Sequence, residues 1–427
     1  MATAQPFPSD AGGAAGEPLD LFMPLRSAGA LENPYPVYGL LRTVRPILQM
    51  PIPDYDGPGV WFLTRYAEVE AALRDPRLSV DRLQAPIIRE NLERLPAFVR
   101  QGQDGTRSML VMDPPDHTRV RKLVNQAFTP RRVAKLRPRL EAVVQGLLDE
   151  AERAGGLELI HDLAEPFPAI VIAELLGVPP EDHRRFREWS TAIVANIGAR
   201  TQEAAIRAGD ALQSLLAYLA EVIAERRREP RDDLISAMIA AQEEQDALSD
   251  AELLATTNLI LLAGHETTTN LIGNGVLSLL REPDQWDRLR GEPGLLPLAM
   301  NELLRFDGPV QATLRVARED LALGESGEFE VAEGSLVFVG VGAANHDPEV
   351  FVEPDRLDVG RDPNPHLAFG FGPHFCLGSR LALLEAELAI GALVERFPNL
   401  ALVDDAPDYR SNPILRGLRS LPLSLRA

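Results

Sequence analysis

The sequence predicts a mainly helical α+β fold with a small β-rich lobe. Three observations lead there. A helical pattern runs unbroken from Asp250 to about Arg281 and is apolar nearly all round, so it must be buried. Helical periodicity also fills Glu141 to Arg228, broken at Gly155-Gly156 and Gly177-Val178-Pro179-Pro180. Short strand-like runs bounded by turn residues cluster in two places, Pro46 to Thr64 and Arg315 to Val341.

Composition sets outer bounds. The chain has 427 residues, 45% of them hydrophobic, which is ample for a large core. Its net charge of −20 argues against nucleic acid and against an anionic membrane surface as partners. A single cysteine cannot form an intrachain disulfide, which makes the cytoplasm the natural compartment. Residues 1–20 are rich in Ala, Gly and Pro and are expected to be a disordered lead-in. They lack the charged start and apolar run of a signal peptide. No stretch is long and apolar enough to suggest a membrane span.

The elements follow in order. Pro34 to Val44 reads as a helix. Strands at Pro46 to Met50 and Val60 to Thr64 flank the turn residues Asp54-Tyr55-Asp56-Gly57-Pro58, and Ala67 to Arg74 is a further helix. Ser79 to Ser108 is a long irregular connection, of the kind that is often functional. At Asp113-Pro114-Pro115-Asp116 a new helix begins, with proline and acids suited to its first turn. His117 and Arg121 share one face of it, four residues apart, and together can grip a carboxylate. From Arg119 to Arg139 there are eight cations and no acid, a local reversal of sign in an acidic chain. Pro180 to Gly198 and Gln202 to Arg228 are expected to be helices lidding a pocket. Pro230 to Gln242 adds a short one.

Ser249-Asp250-Ala251-Glu252 is a capping box that opens the long helix, whose length is about 48 Å at the α-helical rise. Its middle reads Ala263-Gly264-His265-Glu266-Thr267-Thr268-Thr269-Asn270. Gly264 costs about 1 kcal/mol against Ala, and threonines are poor helix formers. A buried helix that weakens itself at mid-length and places a carboxylate there does so for function. Further on, Glu302 and Arg305 stand i,i+3 and can pair. Asp307 to Arg315 then leads into strands at Arg315 to Leu323, Glu328 to Val331 and Leu336 to Val341.

The only cysteine lies in Phe369-Gly370-Phe371-Gly372-Pro373-His374-Phe375-Cys376-Leu377-Gly378, and an apolar helix starts at about Ser379. Glycines let this backbone approach a bulky planar partner, and amide N–H groups at the helix start can stabilise a thiolate. The stretch resembles the haem-binding loop of the cytochrome P450 family, in which Phe369, Gly372, His374, Cys376 and Gly378 fill every fixed position. Ala263, Gly264, Glu266 and Thr267 match that family's long-helix motif. Glu302 and Arg305 match its Glu-x-x-Arg pair, and Pro354, Arg356 and Asp358 a later loop. The resemblance runs from about Asp20 to Arg426 with all motifs in order.

The resemblance implies one cytochrome P450 domain over 21–427, with haem b between the long helix and the Cys376 loop. Cys376 would be the iron ligand. His117, Arg121, Arg315 and His374 would hold the haem carboxylates, with Ala263, Gly264, Phe369 and Gly378 against the ring. Gly264 would leave room for the oxygen ligand. Thr267 would supply a distal hydroxyl and Glu266 a proton relay, with His265 pointing elsewhere. Glu302 and Arg305 would be structural, with Arg356 as third member. Leu259, Leu262, Val310, Ala312, Thr313 and Ile414 would line an apolar substrate pocket. The implied reaction is insertion of one atom of dioxygen into a fatty acid, terpenoid, macrolide or drug-like molecule. Electrons would come from NAD(P)H through a reductase and an acidic ferredoxin docked at the basic 119–139 face. A monomer is expected. A peroxide-driven enzyme and a non-catalytic haem sensor or carrier are the alternatives, and the Glu266–Thr267 pair favours the monooxygenase over both.

Overall fold

The computed structural model describes residues 32–50, 55–91, 107–195, 202–245, 248–324, 326–410, 412 and 414–425. The expected lead-in, part of each of the 79–108 and 180–200 stretches, and Pro413 lie outside them. Fourteen α-helices occur among the described residues. The first nine are α1 (Tyr35–Val44), α2 (Tyr66–Arg74), α3 (Pro86–Glu90), α4 (Asp116–Ala127), α5 (Pro130–Ala154), α6 (Pro166–Leu176), α7 (His183–Ala195), α8 (Gln202–Arg228) and α9 (Leu234–Gln245). After them come α10 (Asp250–Arg281), α11 (Pro283–Gly291), α12 (Leu296–Asp307), α13 (Val341–Ala344) and α14 (Ser379–Arg396).

The long helix α10 starts as expected. Ser249 Oγ accepts from the Glu252 amide, and the Glu252 carboxylate accepts from the Ser249 amide. Its N-terminal half (Leu253, Ile260, Leu261) packs in one apolar cluster with α4, α8 and α9. Its C-terminal half (Leu271, Ile272, Val276, Leu279) packs in another with α5, α6, α12 and α14. The polar mid-section therefore lies at the junction of two dry cores. Other ends differ from expectation for local reasons. Helix α9 starts at Leu234, because the Asp233 carboxylate accepts from the Ser236 amide. Helix α5 starts at Pro130, capped by Thr129, and carries Pro138 inside it.

The β-strands are β1 (Ile47–Met50), β2 (Val60–Leu63), β3 (Leu78–Ser79), β4 (Leu157–Glu158), β5 (Thr313–Ala317), β6 (Leu321–Leu323), β7 (Phe329–Val331), β8 (Leu336–Val339), β9 (Ala401–Leu402), β10 (Asp408–Tyr409), β11 (Leu418–Ser420) and β12 (Pro422–Ser424). The main sheet has the order β1-β2-β8-β5-β3. Its β2 and β8 run parallel, with Phe62 opposite Phe338. Both read as continuous apolar runs because both their faces are covered. Phe62 and Phe338 enter one cluster, Trp61 and Val337 the other. The β4-β12-β9 sheet was not legible in the sequence, because strands of two or three residues carry no period.

One buried carboxylate anchors the segment that leads to Cys376. Glu302 accepts from Arg305 at 2.7 and 2.8 Å, and both residues are fully buried. The third member of the cluster is Arg361, 3.1 Å from both Glu302 oxygens, and not Arg356. Arg356 points outward to Glu353 and offers only its backbone carbonyl to Arg305 and Arg361. The loop turns its side chains so that the later arginine reaches inward. Asn364 Nδ2 and the Asp358 amide also donate to Glu302. Arg361→Ala should therefore lower unfolding stability by about 3 kcal/mol, the cost of stranding a buried charge. Arg356→Ala should change it by less than about 1 kcal/mol, as for an exposed pair. Urea melts of the two variants check this, and equal effects would refute the pairing.

Candidate active site

The Cys376 loop is built on two left-handed glycines, Gly370 (φ 71°) and Gly372 (φ 70°). A Cβ at Gly372 would also stand 3.1 Å from the Leu73 carbonyl of α2. The Cys376 amide donates to the Phe369 carbonyl at 2.8 Å, closing the loop. Phe369 meets Phe375 edge-on, with ring centroids 6.2 Å apart. Burial pushes the Cys376 thiol pKa up, opposed by amide N–H groups of Gly378 and Ser379 and by the nearby Arg121. Both donors lie at the start of α14, which begins at Ser379, as the helix-start reading expects.

The four expected carboxylate-binding residues come together beside this loop. Arg121 Nη2 donates to the Phe375 carbonyl at 2.7 Å. The His117 and His374 rings lie 4.0 Å apart. Arg315 on β5 is buried and donates to Thr313 Oγ1 and the Leu314 carbonyl. Burial and the neighbouring His117 and Arg315 push His374 down to about 3. Burial, then Arg82, pushes Arg315 down to about 10. The one acid close by, Asp113, is held by Ser79, the Val80 amide and Arg318. Cations crowded without a carboxylate of their own among the described residues fit an anionic ligand. Gly378 fits a flat one, since an added Cβ there would meet nothing within 4 Å. A thiol with two N–H donors, an open glycine and paired cations together match the donor set that haem requires.

On α10 the expected face is open. Leu259, Leu262, Ala263 and Thr267 follow helical spacing and keep accessible surface, while Ile260, Leu261, His265 and Thr268 are buried. Thr267 Oγ1 donates to the Ala263 carbonyl at 2.7 Å. Glu266 is buried, its Oε1 accepting from Arg410 at 2.8 Å and from Asn270 at 3.4 Å. Burial raises the Glu266 pKa, and Arg410 opposes that rise. No hydrogen bond joins Glu266 to Thr267 among those found, so the two expected proton-handling groups start apart. Sequence reasoning missed Arg410. It lies 144 residues from Glu266 in the chain, and no local motif marks it. His265 does point elsewhere. Its Nδ1 meets Ser190 Oγ at 2.7 Å, and its Nε2 donates to the Glu165 carbonyl at 3.2 Å.

The structure adds to or corrects three expectations. The missing Cβ of Gly264 faces Ile172 of α6, 3.1 Å away, so this glycine lets α10 and α6 pack closely while it keeps accessible surface. Ala312 is buried in the sheet core with Tyr38, Val60 and Phe338 and does not line a pocket, whereas Val310, Thr313 and Ile414 keep accessible surface. Half of the cations in the basic 119–139 run are paired with acids. Arg119 pairs with Glu252, Arg132 with Asp232, Arg137 with Glu387 and Arg139 with Glu174. Lys122, Arg131 and Lys135 remain exposed, with no ion pair found among the described residues.

Comparison with known proteins gives the same picture. The family model described as Cytochrome P450 matches residues 89–415. Cytochrome P450 107B1 of Saccharopolyspora erythraea is 46% identical over 378 residues, covering 86% of this chain and 90% of that one. Vitamin D(3) 25-hydroxylase of Pseudonocardia autotrophica is 43% identical over 400 residues, covering 92% and 94%. The crystal structure of myxobacterial CYP267B1 in complex with myristic acid superposes with a TM-score of 0.86 at 38% identity, covering 94% of this chain and 99% of that chain. Among the described residues, no helix is long and apolar enough to cross a membrane. With Cys376 in its glycine-hinged loop opposite the open face of α10, this chain belongs to the cytochrome P450 family of haem-iron monooxygenases.

Proposed function

We propose that the chain, as one domain over 21–427 acting as a cytoplasmic monomer, binds haem b and inserts one atom of dioxygen into a long or bulky apolar molecule. The observation that carries this is the Cys376 thiol, set beneath two backbone N–H donors in a loop whose glycines bring it close to a flat ligand. Bound haem iron supplies dioxygen activation, and a cysteine thiolate ligand favours O–O cleavage. Burial raises the Cys376 pKa on balance, and the Gly378 and Ser379 amides and Arg121 favour the anion that would bind iron. His117, Arg121, Arg315 and His374 orient the cofactor through its carboxylates.

On the open face of α10, Thr267 would exchange its bond to the Ala263 carbonyl for one to a water, placing a hydroxyl where protons are needed. Glu266 takes up protons at its carboxylate, whose raised pKa suits it to carry them, and its tie to Arg410 sets its resting position. Leu259, Leu262, Val310, Thr313 and Ile414 supply apolar walls. Two relatives, a vitamin D(3) 25-hydroxylase and a P450 in complex with myristic acid, support a large apolar substrate. Electrons come from NAD(P)H through a reductase and an acidic ferredoxin that meets Lys122, Arg131 and Lys135.

The reduced protein with carbon monoxide should show the strongly red-shifted Soret band of a thiolate ligand. Cys376→Ser should lose that band, and a normal band in the variant would refute the ligand. Thr267→Ala should keep oxygen uptake while product per oxygen falls severalfold. Glu266→Gln should slow turnover on the order of a hundredfold. Unchanged coupling in the first and unchanged rate in the second would remove these roles. Charge reversal at Lys122, Arg131 and Lys135 should raise the KM for a ferredoxin and leave peroxide-driven turnover alone. A loss in both assays would instead indicate a folding defect.

A further inference from the structure

Arg82 has no part in the site as described so far. It opens a single 3-10 turn, Arg82–Gln84, that packs on β5 close to Arg315. Its neighbour Asp81 is already committed. That carboxylate accepts from the Leu83 amide at 3.2 Å and pairs with Arg107 at 2.7 Å, so it turns away from the Arg82 guanidinium. No hydrogen bond or ion pair of the Arg82 side chain occurs among the described residues. Protein surrounds Arg82 closely enough that burial alone lowers its pKa, yet the side chain keeps accessible surface. Arg82 thus sits among protein groups with part of its side chain still open, as a residue lining a cleft does. It stands close enough to Arg315 to lower that residue's basicity, with Asp113 already taken by Arg318. Arginines are brought together like this when a shared anion lies between them.

We propose that Arg82 binds a haem carboxylate together with Arg315, as a fifth member of the set formed by His117, Arg121, Arg315 and His374. The inference rests on the haem reading above. It commits to the cofactor carboxylate, because the β5 neighbour of Arg82 is itself in that set. A substrate carboxylate offers the same chemistry from another source. The consequence is a link between the Arg82–Gln84 turn and cofactor retention, since the haem itself would pin that turn.

The test follows haem transfer from the loaded full-length protein to excess apomyoglobin. Wild type, Arg82→Gln and Arg82→Lys are compared, each with protohaem and with its dimethyl ester. Loss of one charge-assisted hydrogen bond predicts transfer about tenfold or more faster for Arg82→Gln. The Lys variant should recover most of that loss, and the ester should abolish the difference. Dodecanoic acid and dodecanol, titrated by their Soret shifts, should bind the variant and wild type alike. Equal transfer rates in all three proteins would overturn the proposal. So would unchanged transfer with weakened binding of dodecanoic acid alone, which would assign Arg82 to a substrate carboxylate. A wild type with no red-shifted carbon monoxide band would overturn the haem-thiolate reading itself, a distinct failure.

Discussion

The Glu302 carboxylate is the constraint on which the proximal half of the molecule depends. It has no exposure to water, so its charge survives only because Arg305 and Arg361 surround it and Asn364 and the Asp358 amide fill its remaining acceptor sites. The two guanidiniums then spend their other N–H groups on the carbonyls of Asn345, Val352, Pro354 and Arg356. One ion cluster thereby shapes the irregular chain between β8 and the Cys376 loop. Asn345 continues the chain of support by accepting from the Leu367 amide. Cys376 is therefore positioned by groups up to 74 residues before it, and without them the glycines of its loop would have no reason to hold one conformation.

The opposite wall depends on a different balance. Helix α10 is stabilised at its two ends by burial in separate apolar clusters. That leaves its middle free to carry groups that a helix or a dry core would disfavour. Thr257, Thr267 and Thr269 each donate to the carbonyl four residues earlier, a habit that bends helices slightly. Glu266 is tolerated because Arg410 comes from the C-terminal β10–β11 hairpin to meet it. The functional carboxylate and the last hairpin are thus energetically tied, although no sequence signal links them.

Electrostatics set the third wall. The chain carries a net charge of −20, yet the groups beside Cys376 are nearly all cationic or neutral donors. Burial holds His374 and His117 below the usual histidine range, so both act as neutral N–H donors near neutral pH. The full positive charge comes from Arg121 and Arg315. By contrast, four of the eight cations over 119–139 are paired with acids, three of them on α6, α10 and α14.

The sequence by itself determined the long capped helix, the Cys376 loop, the His117–Arg121 face and the Glu302–Arg305 pair. Each is a local pattern, readable because its members lie within a turn or a loop of one another. Only the tertiary structure decided the rest. It chose Arg361 over Arg356, because a spacing rule cannot say which arginine of an irregular loop turns inward. It turned the missing Cβ of Gly264 toward Ile172 and put Ala312 in the sheet core, because facing depends on neighbours from distant segments. It brought Arg410 to Glu266 and Arg82 to Arg315, pairs separated by most of a core that must close before either can form.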